Sequence, residues 1–180
     1  MNLKSLPNFL TALRICFAIL LLAILLYGWE LLPPSIHSTW VNYLACLLFC
    51  VASITDFFDG FIARNFKVTS LFGEIFDPLA DKLLMLAAFI GLLVIDRVNA
   101  WAVFLILGRE FFITGLRVAA AAKGLRVAAS NLGKYKTGLQ ITAIAFLLMD
   151  YSFANATLWL AVIITLYSGY DYAKAYTKTR

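Results

Sequence analysis

The stretch Trp40–Ile95 reads WVNYLACLLFCVASITDFFDGFIARNFKVTSLFGEIFDPLADKLLMLAAFIGLLVI. It holds two apolar runs, Trp40 to Phe61 and Pro78 to Ile95. Asp56 and Asp59 lie near the end of the first, and Asp77 and Asp81 at the opening of the second. About 20 mostly apolar residues let a helix cross the hydrocarbon core of a bilayer. The stretch therefore predicts two antiparallel membrane helices joined by a short connection, with four aspartates gathered where they join.

Applied outward, the same yardstick marks four more runs: Asn8 to Trp29, Trp101 to Ala122, Thr137 to Tyr151 and Thr157 to Tyr172. The first follows Lys4 as a secretory signal would, but no small-residue cleavage site comes after it, so it is expected to remain as a helix. Of the 180 residues, 63% are apolar and 14% charged, against roughly 45–50% and 25% in soluble domains. The excess comes in blocks that one core could not bury. The expected fold is an all-α integral membrane protein, a six-transmembrane-helix bundle. Without repeats, low-complexity tracts or a long linker, residues 1–180 are expected to form a single domain.

Lys and Arg are retained on the cytoplasmic side during insertion. Lys4, then Arg64 and Lys67, then Lys123, Arg126, Lys134 and Lys136, then Lys174, Lys178 and Arg180 fall on alternate connections or at the ends. Those faces, and both termini, are expected to be cytoplasmic. The opposite connections hold Arg97 as their cation, with Glu30, Asp96, Asp150 and the turn formers Pro33, Pro34, Ser35 and Asn155.

Several functions are set aside by composition. The net charge of +5 is scattered between apolar blocks and builds no basic stripe for nucleic acid. Cys16, Cys46 and Cys50 lack neighbouring zinc partners and read as packing residues. His37 is the only histidine, which excludes histidine triads and di-histidine metal sites; it reads as a surface-loop residue. Trp29, Trp40, Trp101 and Trp159 sit near span ends, where interfacial anchoring accounts for them.

The aspartates carry the chemistry. A carboxylate in hydrocarbon costs about 2.5–3.5 kcal/mol on insertion scales, so those inside spans normally face a cavity with a task. Spacings of three for Asp56 and Asp59, and four for Asp77 and Asp81, put each pair on one helix face. Four converging carboxylates need protons or cations. With oxygen donors alone, the hard ions Mg²⁺ or Mn²⁺ are favoured, and two ions about 3.5–4 Å apart would clamp both oxygens of a phosphoryl displacement. The alternative is that these aspartates cap helices or pair with Arg64, Lys67 and Lys82. Gly60 and Gly73 leave bare backbone beside the cluster, Ala63 is small, and Arg64 supplies a planar cation suited to phosphate. Metals plus arginine describe a pyrophosphate site.

Asp56, Asp59, Gly60, Ala63, Arg64, Gly73, Asp77 and Asp81 match the pattern D-x2-D-G-x2-A-R-x8-G-x3-D-x3-D without a departure. In this the chain resembles the CDP-alcohol phosphotransferase family. The resemblance implies metal-dependent transfer of a substituted phosphoryl group from a CDP-linked donor to an alcohol, with CMP leaving. It implies Asp56, Asp59 and Asp77 as metal ligands, and Asp81 as both near the second ion and the general base. It also implies a CDP pocket lined by Asp56, Asp59, Gly60, Ala63, Arg64 and Gly73. No covalent nucleophile is required.

Three further segments are similar to the bacterial phosphatidylglycerophosphate-synthase branch of that family: Leu6 to Arg14, Gly108 to Phe111 with Gly115 to Arg117, and Ala129 to Gln140. This likeness implies CDP-diacylglycerol as donor and glycerol 3-phosphate as acceptor, in the cytoplasmic membrane of a bacterium with the site at the cytoplasmic face. Homodimers are usual in the family. The cations Arg109, Arg117, Lys134 and Lys136 then suit an acceptor phosphate, and Arg14 a donor phosphate. Against this, Lys134 and Lys136 would serve equally as headgroup anchors, and Arg109 as a partner of Glu110 or Asp171. The donor's acyl chains are expected to enter sideways from the bilayer. A sister enzyme such as a cardiolipin synthase would use another acceptor. A divalent-metal channel is disfavoured by the placement of all four aspartates at one face beside Arg64, and an intramembrane prenyltransferase by the small number of spans.

Overall fold

Long runs of Leu, Ala, Ile and Phe, with their backbone groups bonded within the segment, favour helix wherever water is scarce. The computed structural model describes the backbone of residues 6–31, 33, 39–66, 71–124 and 132–179; the side chains of 6–10, 29, 31, 56–66, 71–78, 81, 132, 134 and 178–179 lie outside that description. Among the described residues there are six helices and no strand: α1 (Leu6–Leu31), α2 (Thr39–Phe66), α3 (Leu71–Val94), α4 (Ala100–Ala122), α5 (Leu132–Leu148) and α6 (Ala154–Thr179).

Each apolar run falls mainly on one helix; several helices outrun their runs at polar ends, whereas α3 stops at Val94 and α5 at Leu148, short of the expected Ile95 and Tyr151. The backbone of α2 continues to Phe66, and α3 begins at Leu71, so Pro78 is inside α3 rather than at its mouth. Hydropathy marks where a helix suits lipid, whereas intrahelical hydrogen bonds carry on through polar residues. Lacking an N–H, Pro78 cannot bond to the carbonyl one turn earlier. Among the described residues, only Thr11–Gly28 of α1 is long and apolar enough to cross a membrane on length and composition alone. The apolar parts of α2 and α3, Thr39–Thr55 and Lys82–Val94, are shorter, and Arg109, Glu110 and Arg117 interrupt α4.

The chain divides into two compact units, Met1–Arg97 with Leu148–Asp150, and Val98–Leu147 with Tyr151–Arg180. In the first, α1 packs on both α2 and α3. Its buried stripe is Thr11, Arg14, Ala18, Leu21 and Leu25, the alternating three-and-four spacing of a helix-packing seam. α1 and α3 approach closely because Gly91 has no side chain; a Cβ there would lie 2.9 Å from Leu25 Cβ. α3 ends with Asp96 at φ +56°, the Arg97 N–H donating to the Leu92 carbonyl (2.9 Å) and the Asp96 N–H to that of Leu93 (3.1 Å). This is a Schellman closure with Asp in the left-handed position. Arg97 then donates from Nη1 to Asn42 Oδ1 (2.8 Å) and to the Leu148 carbonyl (3.2 Å), with Nη2 3.7 Å from Asp150. The one cation of the connections expected to be external is thus absorbed in tying helix ends together.

In the second unit α4 packs on α6. Asn99 caps α4, its side chain accepting from the Trp101 N–H at 2.9 Å. The buried stripe of α6 runs Ala154, Leu158, Ala161, Val162, Thr165, Ser168, Gly169 and Tyr172. It is apolar in its first half and largely polar in its second.

Candidate functional site

In the first unit, backbone register locates the acidic motif. A Cβ on Gly28 would lie 3.0 Å from Val41 Cγ1, fixing the end of α1 beside the start of α2. Counting back along α1 from Gly28 to Arg14, and the same number forward along α2 from Val41, reaches Thr55, beside Asp56. α1 and α3 run parallel through the Leu25–Gly91 contact, and counting back from it to Arg14 reaches Ala80 on α3, beside Asp81. At 1.5 Å of rise per residue in each helix, these positions are level. The backbone positions Asp56, Asp59, Gly60, Ala63 and Arg64 on α2, and Gly73, Asp77 and Asp81 on α3, therefore gather toward one end of the unit. Their side chains lie outside the described residues, among which no group of three His, Cys, Asp or Glu is placed to hold a metal.

Arg14 is described, and it is 2% exposed. It occupies a seam position of α1 and is one of the largest wholly buried side chains among the described residues. The seam thus places an arginine at the level of the aspartate positions.

The second unit gathers the other cations. Glu110 Oε1 accepts from Arg109 Nη1 (3.3 Å) and from Lys136 Nζ, joining α4 to α5. Arg109 Nη2 donates to Ser168 Oγ on α6 (2.9 Å). The Arg109 stem crosses Gly169, where a Cβ would lie 2.9 Å from Arg109 Cγ. Arg109 Nε is buried without a hydrogen-bond partner among the described residues. Two turns on, the Arg117 guanidinium lies 5.4 Å from the centre of the Tyr172 ring, within range of a cation–π contact. Gln140, one turn past Lys136, donates to Thr165 Oγ1 (2.8 Å).

Of the expected acceptor-phosphate residues, the structure brings Arg109 and Lys136 onto one carboxylate and places Arg117 on the same helix as Arg109; the Lys134 side chain lies outside the described residues. The two partners considered for Arg109 resolve in favour of Glu110. Lys136 is 7% exposed, which fits a buried role better than a headgroup anchor. Sequence reasoning named Glu110 only as a partner for Arg109 and Gln140 only within a matching segment, and gave no role to Thr165, Ser168, Gly169 or Tyr172. The usable signal was polar residues at three-and-four spacing inside an apolar helix. Arg109 and Lys136 thus share the Glu110 carboxylate, with the Arg117 guanidinium against the Tyr172 ring on the same helix as Arg109.

Known proteins supply the remaining context. The profile of a family described as CDP-alcohol phosphatidyltransferase matches residues 4–167. The chain is similar to a Bacillus subtilis (strain 168) protein named CDP-diacylglycerol–glycerol-3-phosphate 3-phosphatidyltransferase, 42% identical over 179 residues that cover 93% of each chain. A Rickettsia typhi protein of the same name is 40% identical over 182 residues, 96% of this chain and 97% of its own. One from Rickettsia prowazekii is 40% identical over 181 residues, 96% and 95%.

Proposed function

The chain belongs to the CDP-alcohol phosphatidyltransferase family, and from that premise we propose that it transfers the phosphatidyl group of CDP-diacylglycerol to glycerol 3-phosphate, giving phosphatidylglycerophosphate and CMP. The observation that carries this reading is the near-full-length likeness to proteins named for that reaction. The unbroken eight-position motif on α2 and α3 agrees with it.

The donor set fits hard divalent cations: four carboxylates, no thiolate or imidazole, at spacings that share helix faces. Asp56, Asp59, Asp77 and Asp81 would hold two Mg²⁺ or Mn²⁺ ions, which when bound supply neutralisation of the pyrophosphate. Gly60, Ala63, Arg64 and Gly73 line the CDP pocket, and Arg14 adds positive charge for the donor phosphate. Asp81 takes the proton of the acceptor's free primary hydroxyl. That oxygen bonds to the phosphorus bearing diacylglycerol as the bond from this phosphorus to the CMP oxygen breaks. The acceptor's own phosphate is held by Arg109, Arg117, Lys134 and Lys136.

The protein works in the bacterial cytoplasmic membrane, with six spans, both termini and the site toward the cytoplasm, both units acting as one catalytic domain and two copies associating as a dimer. Exposed apolar side chains on every helix support a lipid setting, among them Ile19, Leu47, Val94, Phe104, Tyr135 and Ile163.

The test is CMP release by the purified protein in detergent with CDP-diacylglycerol and Mg²⁺, comparing glycerol 3-phosphate with glycerol, serine, inositol phosphate and phosphatidylglycerol. Release confined to glycerol 3-phosphate and abolished by EDTA is expected. Release with another acceptor instead overturns the acceptor assignment.

A further inference from the structure

The second half of the α6 stripe contacts, residue by residue, the elements that carry the cations. Thr165 accepts from Gln140, one turn past Lys136 on α5. Ser168 accepts from Arg109 at 2.9 Å, Gly169 makes room for the Arg109 stem, and the Tyr172 ring lies beneath Arg117. All are buried, with Thr165 at 0%, Ser168 at 2% and Tyr172 at 7% exposure. Packing does not demand these residues, because the first half of the same stripe is filled by Ala154, Leu158, Ala161 and Val162. The change from apolar to polar coincides with the two arginines and Lys136.

We infer that Thr165, Ser168, Gly169 and Tyr172 are positioning residues that set the cations for the acceptor's phosphate. This rests on the proposed role of Arg109, Arg117 and Lys136. An arginine side chain has a long flexible stem, and binding an anion with it is most favourable when its orientation is settled beforehand. Ser168 fixes one end of the Arg109 fork while Glu110 fixes the other, and Gly169 fixes the stem. The Tyr172 ring does the same for Arg117 through its face.

The experiment uses the full chain in detergent, with Ser168→Ala, Tyr172→Leu and Tyr172→Phe. CMP release gives separate KM values for glycerol 3-phosphate and CDP-diacylglycerol. Protection against thermal unfolding by glycerol 3-phosphate, and by inorganic phosphate, is measured without donor. Losing a hydrogen bond to a charged group or a desolvated cation–π contact predicts a glycerol 3-phosphate KM raised roughly 5- to 20-fold in Ser168→Ala and Tyr172→Leu. The donor KM is expected to stay at the wild-type value. Tyr172→Phe keeps the ring and is expected to restore the acceptor KM, and phosphate protection should weaken in the same order.

Equal rises in both KM values, an unchanged acceptor KM, or a Tyr172→Phe as impaired as Tyr172→Leu would overturn the inference. If Tyr172→Leu does not fold, Ser168→Ala and Ser168→Thr carry the comparison, with Thr expected to rescue. A wild-type protein that releases no CMP with glycerol 3-phosphate yet is protected by it refutes the activity, and the protection order still judges the positioning. A wild type neither active nor protected overturns both.

Discussion

Glu110 and Lys136 form one ion pair, yet their removal should have opposite consequences. Glu110 Oε1 serves both Lys136 and Arg109, whose side chains are 9% and 10% exposed. In Lys136→Gln the carboxylate keeps Arg109, and no buried charge is stranded. In Glu110→Gln two buried cations lose their shared counter-charge. Removing one partner of a buried pair costs about 3–5 kcal/mol, and the amide oxygen that remains argues for the lower end. At about 2–4 °C per kcal/mol for a chain of this size, Glu110→Gln should lower the unfolding temperature by roughly 6–12 °C, and Lys136→Gln by far less. Kinetics should run the other way. Lys136→Gln removes a charge-assisted contact to the acceptor phosphate, worth about 1.5–3 kcal/mol, raising the glycerol 3-phosphate KM roughly 10- to 150-fold. Glu110→Gln removes a competing charge while its amide oxygen can still receive Arg109, so its acceptor KM should rise less than that of Lys136→Gln. Thermal unfolding followed by tryptophan fluorescence, with CMP-release kinetics on the same preparations, reads both. Lys136→Gln losing as much stability as Glu110→Gln, or keeping the wild-type acceptor KM, would refute this reasoning.

Three other substitutions probe the first unit. Gly91→Val forces a Cβ to within 2.9 Å of Leu25 Cβ; overpacking of this kind costs about 1–3 kcal/mol, so the unfolding temperature should fall, and an unchanged one would contradict the close α1–α3 approach. Asp81→Asn should lower turnover by at least ~100-fold, the lower end for a general base, while CDP-diacylglycerol still protects against thermal unfolding; loss of that protection would recast Asp81 as a donor-binding residue. Arg14→Gln should raise the CDP-diacylglycerol KM roughly 10-fold, from loss of a charged contact, and leave the acceptor KM alone; the reverse pattern would move Arg14 out of the donor site.

Helix order was legible because hydropathy reports which segments suit lipid, and each apolar run falls mainly on one helix. The ends of the helices were less so. α3 starts seven residues before Pro78, because Leu71 to Asp77 can be helical without being apolar enough to count as span. The acidic motif was legible from spacing alone, since Asp56 to Asp81 lie on consecutive helices with few residues between them. The partners of Arg109 were not. Ser168 is 59 residues away in the chain, and nothing in a single sequence says which face of α6 meets α4.

A rule can nevertheless be drawn from the buried stripes. On α1 the seam is Thr11 and Arg14, then Ala18, Leu21 and Leu25; on α5 it is Lys136 and Gln140, then Ala143, Ile144 and Leu147. On α6 the order is reversed, with the apolar residues first and Thr165, Ser168 and Tyr172 last. Within the second unit the two polar parts meet, Gln140 of α5 donating to Thr165 of α6. A packing stripe with constant spacing and a change of chemistry part-way along keeps the helix buried for one purpose and handles charge for another. The apolar part supplies association, and the polar part is buried at a cost that only paired or ligand-bound charge offsets. The position of the change along each of these helices therefore marks where buried polar groups begin, and it can be read from sequence once the stripe is known.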